Sequence, residues 1–105
     1  MITLVIALAL AAPNPGSIDA PRRAFAACLK TFETNQLNAK VDPAAYETAV
    51  KAACPTEAES LMQALVKYDV AMGTKRATAA SNAQRDVDDY RLTSVERYRD
   101  ILGTP

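Results

Sequence analysis

Apolar residues recur along most of the chain at helical spacing, and no alternating run reads as a strand. Phe25, Cys28, Leu29 and Phe32 fall at i, i+3, i+4, i+7 and predict a first helix over about 21–37. Asn38-Ala39-Lys40-Val41 is the connection. A second helix starts cleanly. Asp42 is a good N-cap, Pro43 takes the first helical position where its missing N–H costs nothing, and Val41 can staple onto Tyr46. Its apolar face is Tyr46, Ala49, Val50, Ala53 and Cys54, and Pro55 ends it. Thr56-Glu57-Ala58-Glu59 has the form of a capping box that opens a third helix with the stripe Ala58, Leu61, Met62, Leu65, Tyr68, Met72. Gly73 closes it as a left-handed cap. After a weakly amphipathic Thr74–Ala80 stretch, Ser81-Asn82-Ala83-Gln84 reads as a second box. The fourth helix then carries Ala83, Val87, Tyr90, Ser94, Val95, Tyr98, Ile101 and Leu102 as far as Gly103. One continuous rod from Glu57 to Leu102 would be ~70 Å long, so a bend or turn between Gly73 and Ser81 is the better reading.

The expected architecture is therefore all-α, a small bundle of three to four helices built on an antiparallel helical hairpin. Val41 lies thirteen residues from each cysteine. If the first two helices fold back around it, Cys28 and Cys54 meet on facing surfaces. Helix axes pack ~8–10 Å apart, which brings the facing Cα atoms within bridging range. No C-x-x-C redox motif is present, so the pair reads as a structural staple. A core of two Phe, four Tyr and scattered aliphatics is modest for such a chain, and small scaffolds of this kind usually need one.

The first residues follow a different pattern. Ile2 to Ala12 is apolar apart from Thr3, too short to cross a bilayer but well matched to a signal-peptide core, and Ala9-Leu10-Ala11 supplies an A-x-A cleavage site. The alternative is a buried N-terminal helix. Export reads as 1–11 signal peptide, 12–18 flexible linker and 19–103 a single helical domain, in the periplasm or secreted, where two cysteines pair. Phe25-Ala26-Ala27-Cys28 as a lipoprotein signal and Arg22-Arg23 as a twin-arginine motif both lack the required apolar segment.

Lys plus Arg equal Asp plus Glu at 12 each, so no net field favours nucleic acid or a membrane surface. Histidine is absent, removing the commonest general base and metal ligand. No catalytic residue, cofactor or metal site is expected, and the chain does not read as an enzyme. Asp86 and Asp89 share a helix face, but Arg85 and Arg91 lie one turn from Asp89 and Asp88, which describes a solvated charged face. Tyr68, Tyr90 and Tyr98 are the candidate lining of an apolar inter-helix groove for an envelope protein or peptide, with core packing as the other reading of each. A small-ligand or metal carrier using the Tyr and Met faces, with Met62 and Met72 as soft ligands, is the alternative function. Monomer and homodimer both stay open.

Leu92-Thr93-Ser94-Val95-Glu96 resembles the L-T-x-x-Q motif of small periplasmic helical chaperones, with Glu96 standing in the place of the motif's Gln and a single copy spanning five residues. The resemblance implies binding of unfolded or envelope proteins.

Overall fold

A computed structural model describes residues 14–103. The signal peptide expected at 1–11 and the start of the linker lie outside them. Four helices follow one another: α1 (Gly16–Asn38), α2 (Pro43–Val50), α3 (Pro55–Ala71) and α4 (Arg76–Leu102). No strand occurs among the described residues. One apolar cluster draws on all four helices, centred on Phe25, Leu29, Tyr46, Val50, Leu61, Val87 and Tyr98. Helix α3 packs between α1 and α4, while α2 lies mainly against α4.

Helix α1 begins five residues before the expected start and takes in the last three residues of the expected linker. Prolines favour helix N-termini because their φ is already set, and Pro15 at φ −57° is the N-cap. The Asn14 side chain accepts the Gly16 N–H at 2.9 Å. The extra turn brings Ile18 into the core.

Helix α2 starts as its sequence requires, with Pro43 in the first turn and Asp42 Oδ1 accepting the Ala45 N–H at 2.9 Å. It is shorter than expected. A proline disfavours right-handed α geometry in the residue before it, so the helix must unwind before Pro55. It ends at Val50, Ala52 and Ala53 form turn hydrogen bonds to Ala49 and Val50, and Cys54 takes the left-handed conformation at φ 56°.

Cys28 and Cys54 lie at disulfide distance, with Cα atoms 6.1 Å apart. The second cysteine sits at the entry of α3 rather than on the face of helix 2, so the staple ties α1 to α3 and encloses α2 within its loop.

The break between α3 and α4 falls inside the expected interval. Gly73, at φ +100°, caps α3, and its N–H and that of Thr74 bond back to Val70 and Asp69. Neither expected capping box forms. Cys54 is the N-cap of α3 and Lys75 that of α4, and neither supplies a side-chain cap. Each box lies inside a helix that has already begun, because the chain turns earlier at Pro55 and at Gly73.

Candidate functional site

Where α1, α2 and α4 converge, the core holds a chain of polar groups. Glu33 is only 4 % exposed, and Ser94 is fully buried. Arg97 closes on the Glu33 carboxylate with Nε at 2.9 Å from both oxygens and Nη2 at 2.6 Å from one. Ser94 Oγ donates to the same carboxylate at 3.2 Å. Its single proton is then committed, so the Tyr46 hydroxyl, 2.5 Å away, donates to Ser94. Burial pushes the Tyr46 phenol above its ordinary value, an effect that the bond to Ser94 offsets in part. The Arg97 guanidinium is also raised, chiefly by its hydrogen bonds to Glu33. The Tyr46 ring stacks on Tyr98 at 3.9 Å between centroids, and the Tyr98 hydroxyl donates to the Val41 carbonyl. Every member of this network has a protein partner. It ties α1, α2 and α4 together.

The three tyrosines expected at a groove are separated. Tyr98 is fully enclosed within the network just described. Tyr68 packs at the edge of the core. Tyr90 lines a small recess of about 250 Å³ between α1 and α4, with Ala26, Leu29 and Thr93. Its hydroxyl accepts from Arg22 Nη1 at 3.0 Å, and Arg22 also pairs with Asp86 at 3.3 Å. Those contacts, the Tyr90 bond foremost, hold the Arg22 guanidinium above its usual value. The charged run in α4 is organised by long-range contacts more than by its own i, i+4 neighbours. Arg91 Nη2 donates to the Ala53 carbonyl at 2.8 Å, and its guanidinium lies 5.5 Å from the Phe25 ring centre. Asp88 accepts from Gln84.

The Glu57 carboxylate lies within 4.8 Å of both cysteine sulfurs. With those sulfurs bonded to each other, neither is a thiolate that could ligate a cation. Met62, midway along α3, lies against the core, and Met72, at the C-cap of that helix, is exposed.

A second groove was not anticipated as such. Between α2 and α4, Val50 and Val95 form the floor of an open recess of about 400 Å³, and Leu92 stands beside it at 53 % exposure. The rim carries both signs of charge, Glu47 and Asp88 against Lys51 and Arg91. Glu47 is anchored by Arg99 at 2.6 Å. Leu92 is the first residue of the chaperone-like pentapeptide, while that segment's Ser94 and Val95 are core residues. The visible hint was Leu92 itself, an apolar residue standing off the helical stripe of α4.

No helix among the described residues is long and apolar enough to cross a membrane. The cysteine pair at bonding distance fits an oxidising environment. Comparison with protein-family models, with curated proteins and with solved structures finds no match to this chain.

Proposed function

We propose that this is a non-catalytic interaction protein, exported to an oxidising compartment, that holds an apolar side chain of an envelope protein or peptide in the groove between α2 and α4. The observation that carries the reading is Leu92, half exposed beside a recess floored by two valines. An apolar side chain docked there buries Leu92 at little conformational cost, because the floor is already fixed by the core. The mixed-charge rim orients a peptide backbone or polar flank without selecting strongly for net charge. Export is supported by the disulfide-distance pair together with the apolar run and A-x-A site at the N-terminus.

The test is affinity capture from envelope extract with the oxidised protein and with Leu92→Lys. The exposed substitution leaves the melting temperature within a few degrees. A protein retained by the wild type and released by Leu92→Lys supports the proposal. Equal retention by both proteins, or enrichment of no protein at all, removes it. N-terminal sequencing of the product recovered outside the cytoplasm checks export, with cleavage after Ala11 as the expected result.

A further inference from the structure

Helix α3 carries a second apolar stripe. Met62, Val66 and Val70 follow one another at i, i+4, i+8: Met62 packs at the edge of the core, and Val66 and Val70 carry the stripe away from the buried Ala58 and Leu61. They line an open groove of about 550 Å³ together with Glu59, Lys67 and Arg76. Its charges are sorted along the helix axis. Glu59 stands at the end nearest the start of α3, and Lys67 and Arg76 belong to the other half. Glu59 has only Gln63, on its own helix, as a partner at 3.2 Å, and no ion pair of Lys67 or Arg76 occurs among the described residues.

We propose that this face of α3 is a self-association surface on which a second copy of the chain packs its own α3 antiparallel across a two-fold axis at Val66. A two-fold interface must be complementary to itself, each residue meeting the symmetry mate of its contact. With the axis at Val66, the two Val66 side chains meet at the centre and Met62 of each copy faces Val70 of the other. Glu59 lies seven residues from Val66, ~10 Å along the helix. On the other side α3 ends at Ala71, ~8 Å from the centre, and Arg76, the first residue of α4 after the turn, lines the same groove with a long side chain to span the difference. Each Glu59 therefore meets Arg76 of the opposite copy, and two ion pairs close the ends of the apolar strip. A parallel arrangement would set Glu59 against Glu59 and Arg76 against Arg76, so charge selects the antiparallel pairing. Lys67 flanks the stripe, and its stem covers the valines while its ammonium reaches water. The surface is distinct from the α2–α4 groove, which a dimer built this way leaves open.

Analytical ultracentrifugation of the disulfide-bonded protein from micromolar to millimolar concentration tests this. A monomer–dimer equilibrium is expected. Val66→Glu should shift it to monomer with an unchanged circular dichroism spectrum. Glu59→Arg should weaken the dimer about tenfold, and adding Arg76→Glu should restore it to within about threefold of the wild type, because the reversed pair keeps the complementarity. A protein that stays monomeric at millimolar concentration overturns the inference and assigns the groove to another occupant. A dimer indifferent to Val66→Glu, or one that the charge-reversed double variant fails to restore, overturns it equally.

Discussion

Glu33 shows how much of this structure is decided by single side chains. Its position in the sequence, one residue beyond Phe32 and four beyond Leu29, places it on the apolar face of α1. A carboxylate there costs too much unless paired, and Arg97 with Ser94 supplies the pairing. The direction of donation in the Tyr46–Ser94–Glu33 chain fixes what each substitution does. Ser94→Ala removes the acceptor of a buried hydroxyl and a donor to a buried carboxylate, and should cost about 1–3 kcal/mol in urea denaturation. Tyr46→Phe removes only a terminal donor and leaves the Ser94–Glu33 bond intact, so its cost should be the smaller of the two. Equal losses would mean that the chain does not donate in the stated order. The same tyrosine gives an alkaline limb to stability. A phenol raised on folding favours the protonated form in the folded state, so its contribution is whole below the unfolded value of 10.0 and is lost as pH rises through the folded one. Melting temperatures measured from pH 8 to 11 should fall at the alkaline end, and Tyr46→Phe should make that fall shallower.

At the level of elements, two helix ends share one geometry with different residues. After α1, Lys40 N–H bonds to the Leu37 carbonyl and Val41 N–H to that of Gln36; after α3, Gly73 bonds to Val70 and Thr74 to Asp69. Both are Schellman ends, which require positive φ at the residue beyond the C-cap. Gly73 adopts φ +100° freely, whereas Lys40 at φ 56° bears the clash of a side chain in the left-handed region. Gly73→Ala should therefore destabilise by about 1–2 kcal/mol although its added Cβ meets nothing within 4 Å. Lys40→Gly should instead raise the melting temperature, and a lowered value would show that the lysine makes an offsetting contact. Gly73 is legible in the sequence because glycine after an amphipathic run advertises such an end, and Asp42-Pro43 is legible for the corresponding reason at a start. Lys40 is not, since lysine carries no conformational label. The end of α2 was hidden differently. Val50, Ala53 and Cys54 continue the helical period and are all buried, so burial persists through a stretch whose backbone has already unwound. Of the polar core, periodicity shows that Glu33 falls on an apolar face, but which residue answers it depends on how α4 lies across α1. That register is a tertiary property, and Arg97, sixty-four residues away, has no local mark.

For the whole molecule, the staple's position decides what it stabilises. A bridge between two helical faces would brace both helices equally. Here the loop from Cys28 to Cys54 contains the second half of α1, the turn at Lys40 and all of α2, while α3 and α4 lie beyond it. A helix of eight residues has no independent stability in water, so α2 exists only through Tyr46 and Val50 in the core and the constraint on its two ends. Closing a loop with a sequence separation of 26 removes about 3.5 kcal/mol of unfolded-chain entropy, and that stabilisation falls on whatever opens the loop. Helices α3 and α4, joined by the short turn at Gly73 and in more extensive contact than any other pair of helices, do not need the bridge to find each other. Reduction, or the Cys28→Ala/Cys54→Ala variant, should therefore act in two stages. Amide hydrogen exchange should first lose protection at Tyr46 and Val50, under conditions where Leu61 and Val87 remain protected, and the urea midpoint should drop by an amount consistent with a few kcal/mol. Simultaneous loss of protection in α2 and in the α3–α4 pair would show that the bridge serves the entire bundle as one cooperative unit. With α2 released, the floor of the α2–α4 groove loses Val50, so a partner held beside Leu92 should be released under the same reducing conditions that expose the α2 amides.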